Sequence, residues 1–94
     1  MIKKDIVRNI SKNLGIEEDD IRIIVHHFMK EISKGISSGE SVYLRGFGTF
    51  ALKTMKEKMG QDMMRGKQIV IPAHKKLSFK AGKELQQNIK DIKI

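Results

Sequence analysis

Apolar residues recur along the first third of the chain at intervals of three and four. Ile2, Ile6, Val7, Ile10 and Leu14 share one helical face, so the spacing predicts an amphipathic helix over residues 3–14. Gly15 follows the last of them and suits a left-handed cap. The acidic run Glu17-Glu18-Asp19-Asp20 is best read as a solvated helix start, where carboxylates meet the positive end of the dipole. Ile21, Ile24, Val25, Phe28, Met29, Ile32 and Ile36 form a broader stripe, predicting a second helix over residues 18–38 closed by Gly39. That stripe is long for covering one short helix, which predicts packing against a second copy.

The period then changes to two. Residues 41–44 alternate and predict a short strand. From Arg45 to Lys76 the chain reads as two strands joined by a tip, Gly60-Gln61-Asp62-Met63-Met64-Arg65-Gly66. At about 3.3 Å per residue the leg from Lys53 to Asp62 reaches roughly 30 Å from a body. Alternation puts Lys53, Met55, Glu57 and Met59 on one face, with Thr54, Lys56 and Lys58 on the other. Pro72 lacks a donor N–H and belongs at an edge or bulge. Leu85, Ile89 and Ile92 mark a short C-terminal helix.

A two-stranded ribbon is marginal in water unless it lies on something. Charge says what. Residues 1–44 carry seven Lys/Arg and seven Asp/Glu, whereas residues 45–94 carry twelve and four. The whole net charge of +8 therefore sits in the ribbon half, the footprint of a polyanion binder.

Length limits what else the chain can do. Ninety-four residues make one small domain, and with no Cys to staple it, oligomerisation is the expected remedy for a small core. The start of the chain lacks the apolar run of a signal peptide, and no stretch approaches the roughly 20 apolar residues of a membrane span. The expectation is a soluble intracellular protein. His26, His27 and His74 have no partners at metal-ligand spacing, and no catalytic set, acidic dyad or phosphate-binding loop appears. No metal, cofactor or enzyme activity is expected.

Gly46 and Gly48 flank Phe47 and read either as a tight turn or as exposed amides facing a phosphate, the turn being the plainer reading. Phe47, Phe50 and Phe79 are expected as core side chains under the sheet. Four of the six Met lie in the ribbon, where they offer soft contact surface. Lys80 and Lys83 flank the start of the last helix, a second candidate phosphate contact.

The order helix, helix, strand, Gly46-Phe47-Gly48-Thr49-Phe50, basic ribbon, short helix resembles the HU / integration host factor family of bacterial nucleoid DNA-binding proteins. Gly60, Gly66-Lys67, Ile69, Phe79, Gly82-Lys83 and Leu85 extend the resemblance over essentially the whole chain. It implies an α+β fold: two N-terminal helices, a three-stranded antiparallel sheet extended into a β-ribbon arm, and a short C-terminal helix, in an intertwined dimer. Residues 1–39 would be the helical dimerisation body and 40–80 the sheet, with its arm at residues 53–75. Residues 81–94 would hold the last helix.

The resemblance further implies binding and bending of double-stranded DNA through the minor groove, with little sequence specificity and a preference for bent or distorted DNA. The setting would be the nucleoid of the bacterial cytoplasm. Lys53, Lys56, Lys58, Arg65, Lys67, Lys75 and Lys76 would line the arm. Lys3, Arg45, Lys80 and Lys83, with the amides of Gly46 and Gly48, would touch backbone nearer the body. The family's tip commonly reads Arg-Asn-Pro, with proline as wedge; here Gln61, Asp62 and Met63 stand there. Met is among the apolar wedges that minor-groove proteins use, so Met63 takes that role, with Met64 beside it. A homodimer is expected, with a heterodimer left open. An RNA-binding or ribosome-associated basic protein is the rival reading.

Overall fold

The computed structural model describes all 94 residues. Helix α1 runs Lys3–Leu14, the span that the apolar spacing predicts. At its start the Asp5 carboxylate accepts the Ile2 N–H at 2.8 Å. At its end Gly15 is left-handed, φ 69°, and its N–H reaches the Ser11 carbonyl at 2.8 Å. Helix α2 runs Glu18–Ser37, with Glu18, Asp19 and Asp20 in its first turn. It ends one residue before the expected position. Ser38 is still right-handed and its hydroxyl donates to the Gly35 carbonyl at 2.7 Å; Gly39, φ 92°, turns the chain just beyond.

Strand β1 (Val42–Leu44) leads through the turn Arg45-Gly46-Phe47 into β2 (Gly48–Met55). That turn is closed by the Phe47 N–H on the Leu44 carbonyl at 2.9 Å, with Gly46 at φ 80°. Strands β3 (Lys58–Asp62) and β4 (Lys67–Ile71) form the arm, and β5 (His74–Ala81) returns to the body. The order β1-β2-β5 is an antiparallel three-stranded sheet, and β3-β4 is a separate two-stranded ladder. Helix α3 (Lys83–Ile89) closes the chain, with Ile92 beyond it.

The two expected continuous strands are thus four. Met55 opposite His74 is the last rung of the sheet, and Lys58 opposite Ile71 is the first of the arm. Lys56-Glu57 on one leg and Pro72-Ala73 on the other pair with nothing in either ladder. Proline has no N–H to give, which fixes where the ladder stops. The alternation expected to run from Lys53 to Met59 ends at this break. The tip is shorter than expected too: Gly60, Gln61 and Asp62 belong to β3, and only Met63–Gly66 turn. A Cβ at Gly60 would lie 2.6 Å from Ile71 Cδ1, so the Ile71 side chain would have to shift to admit one.

A lone chain has almost no core. Val7 and Ile21 are the only buried apolar residues. A compact monomer of 10.8 kDa exposes roughly 5,500 Å², yet this chain exposes 8,553 Å². Its radius of gyration is 19.0 Å, against about 12 Å for a compact chain of this length. Its longest dimension is 58 Å. Helix α2 leaves Ile24 62% and Phe28 53% exposed. The aromatic core expected under the sheet is only half covered for the same reason. Phe50 and Phe79 pack at 4.9 Å between centroids and Phe47 and Phe79 at 5.6 Å, yet Phe47 and Phe79 remain exposed.

Candidate nucleic-acid interface

Residues directly opposite in an antiparallel pair share a face, and successive residues alternate between faces. The register therefore sorts every side chain of the sheet. One face carries Val42, Leu44, Phe50, Leu52, Thr54, Lys75, Leu77 and Phe79. The other carries Tyr43, Thr49, Ala51, Lys53, Met55, His74, Lys76, Ser78 and Lys80. The first is apolar apart from its outer end. The second is polar and cationic.

Lys53 stands directly opposite Lys76 on that second face, and Lys80 opposite Thr49 four rungs further down. Like charges opposed across a ladder destabilise it, and no carboxylate pairs with either lysine. Lys75 does not join them. It lies on the other face, and its Nζ donates to Thr54 Oγ1 at 2.6 Å. Lys75 and Lys76, both expected along the arm, thus lie in β5 and project to opposite faces, as neighbours in sequence do on a strand.

Further out, Lys58, Gly60 and Asp62 share an arm face with Lys67, Ile69 and Ile71, whereas Met59 and Gln61 share the other with Gln68 and Val70. Lys56 sits at the break, exposed. At the tip Asp62 organises the turn. Its carbonyl accepts the Gly66 N–H at 2.8 Å. One carboxylate oxygen, Oδ1, accepts the N–H groups of Met64 at 3.1 Å and Arg65 at 3.3 Å. The other, Oδ2, lies 3.8 Å from Arg65 Nε. The Arg65 side chain stays 80% exposed, so this loose surface pairing leaves its charge open to solvent. Beyond them Met63 is 87% and Met64 98% exposed.

Nearer the body the expectations divide. Arg45 is exposed in the β1–β2 turn. Of the glycines on either side of Phe47, Gly46 makes the turn and Gly48 serves packing. Gly48 is buried, and a Cβ there would meet Phe79 Cζ at 2.5 Å and the Lys80 carbonyl at 2.6 Å. Its buried position corrects the reading of its amide as exposed to a phosphate. Gly46 faces Glu84 Oε2 across 2.8 Å from where its Cβ would be, a carboxylate that disfavours an anion there. Lys83 is exposed in the first turn of α3, directly after Gly82. Lys3 borders the α1–α2 groove with Lys4, Arg22, His26 and His27, apart from the sheet face.

Tyr43, His74 and Ser78 lie on the cationic face and were not singled out from sequence. Strand alternation alone separates Tyr43 from Val42 and Leu44; His74 and Ser78 needed the β2–β5 register. No three His, Asp or Glu side chains are grouped to hold a metal ion. No helix is long and apolar enough to cross a membrane.

Comparison with known proteins agrees with this architecture. The family model described as bacterial DNA-binding protein matches residues 1–90. The integration host factor alpha subunit of Vibrio atlanticus is 33% identical over 94 residues, covering 100% of this chain and 96% of that protein. The Vibrio cholerae alpha subunit is 32% identical with the same coverage. Among solved structures, Anabaena HU crystallised with DNA superposes with a TM-score of 0.90 at 24% identity, covering 97% of this chain and 99% of that one. HU from Thermotoga maritima gives 0.66 at 22% identity, covering 95% and 98%. These two likenesses speak to the fold. The match over residues 1–90 settles the family: the chain belongs to the bacterial DNA-binding proteins of the HU and integration host factor type.

Proposed function

We propose that two copies of this chain assemble into one body and close their arms on duplex DNA, bending it. The family is one of architectural DNA-binding proteins rather than enzymes. The observation that carries the reading is the cationic sheet face, where Lys53 and Lys76 are held opposite one another with no counter-charge and lead towards an apolar tip. Such an arrangement is costly in isolation and favourable against phosphates.

The steps are physical. Lysines of the sheet and arm displace counterions from phosphates, giving an affinity that tolerates sequence and falls steeply with salt. Lys53, Lys76 and Lys80 act on one face, with Lys56, Lys58 and Lys67 further out. Met63, and Met64 beside it, wedge between base steps in the minor groove. Bending a site costs on the order of 1–6 kcal/mol, offset by the phosphates that the bend brings within reach. Pre-distorted DNA avoids part of that cost, so it is the preferred target. Apolar residues left open on α2, Ile24 and Phe28 among them, are covered by the second subunit.

Support comes from the uncovered apolar surface of the single chain, from the localisation of charge, and from the overlap with an HU solved as a DNA co-crystal. Gel-shift against linear, nicked and four-way-junction DNA at two salt concentrations tests it. Tighter binding to the nicked and junction DNA, weakening with salt, is the expected outcome. Equal binding to linear, nicked and junction DNA at both salt concentrations would sink it.

A further inference from the structure

We infer that Asp62 is the positioning residue of the arm tip, fixing the direction in which Met63 enters DNA. The inference rests on the DNA-bending reading and adds to it a residue with a defined task.

An acid at the tip of a polyanion-binding arm is out of place by charge alone. It repels phosphate where the arm should attract it. The geometry gives a reason for its presence. The Asp62 carboxylate is only 28% exposed. It accepts two backbone N–H groups of its own turn, those of Met64 and Arg65. The Asp62 carbonyl accepts the Gly66 N–H, and Gly66 supplies the left-handed φ of 64° that lets the chain reverse. Met63 is thereby bracketed. Asp62 precedes it, paired in the ladder with Lys67, and the turn that follows is tied to Asp62 by both its backbone and its side chain. A turn with no proline has no fixed φ of its own; here side-chain hydrogen bonds take over that restraint.

Two effects of Asp62 are separable because they use different properties. Holding the turn needs an acceptor oxygen, which an amide also has. Repelling phosphate needs the negative charge, which an amide lacks.

The test compares native protein, D62N, D62A and M63A. End-to-end fluorescence transfer on a short nicked duplex at saturating protein reads bending, salt titration reads the charge contacts, and thermal unfolding of each variant shows that it is folded. D62A is expected to lose most of the transfer change and to bind about tenfold more weakly, in the range set by the two hydrogen bonds that it removes. D62N is expected to bend DNA as native does and to bind at least as tightly, since the acceptor oxygen is kept while the carboxylate's repulsion of phosphate is gone. Bending by D62A equal to native, with M63A impaired, overturns the role of Asp62 alone. Bending unchanged in M63A as well overturns the wedge and the role of Asp62 together.

Discussion

Lys53 and Lys76 face each other across β2 and β5, both exposed and neither paired with an acid. A ladder built for stability alone would place opposite charges there. K53A/K76A should therefore stabilise the free protein, by about 0.2–1 kcal/mol, read as a higher denaturation midpoint. The same variant should weaken DNA binding and flatten the salt dependence by about 1.8 per arm. Stability and binding moving in opposite directions is the signature of a functional like-charge pair.

Lys75 and Lys76 give a sharper comparison, because they are adjacent yet project to opposite faces. K76A should lower the salt slope by about 0.9 per arm. K75A should leave the slope where it is and remove the hydrogen bond to Thr54. Equal slopes for the two variants would show that the two sheet faces are not distinguished by DNA.

Met63 carries no charge, so its removal separates bending from phosphate contact. M63A should show reduced fluorescence transfer across a short duplex with the salt slope nearly unchanged. A fall in slope as large as the fall in bending would mean that the tip acts through electrostatics.

Gly48 tests the packing beneath the site. G48A drives a methyl against Phe79 and the Lys80 carbonyl, where one neighbour is backbone and cannot move aside. Destabilisation by about 1–3 kcal/mol is expected, measured by urea unfolding.

The open face of α2 predicts that folding depends on concentration. Native protein should unfold at a temperature that rises with protein concentration, as for an obligate dimer. F28D should be monomeric by sedimentation and largely unfolded, because it puts a charge where the covering subunit would pack. A folded F28D monomer would contradict the assembly.

The first two helices were legible because their apolar residues repeat at helical spacing and a glycine follows each C-terminus; α2 stops one residue short of the expected end because Ser38 is its cap. The basic arm was legible from charge. What sequence could not place was pairing. The break at Lys56-Glu57 follows from Pro72 lying across the hairpin, so it needs the register before it can be seen. The same register separates Lys75 from Lys76 and brings Tyr43 to the cationic face. The Phe cluster read as core because aromatic residues usually are. A single subunit leaves it half open, since most of the apolar surface in this chain awaits a second element. Asp62 was passed over because an acid in a basic arm looks like noise until its hydrogen bonds are known.

The most direct measurement is end-to-end fluorescence transfer on a short duplex titrated with the native protein. Two arms closing on phosphates from a common body predict that the ends of the DNA draw together to saturation and separate again as salt is raised. A duplex that is fully bound while its ends stay as far apart as in free DNA would contradict the account.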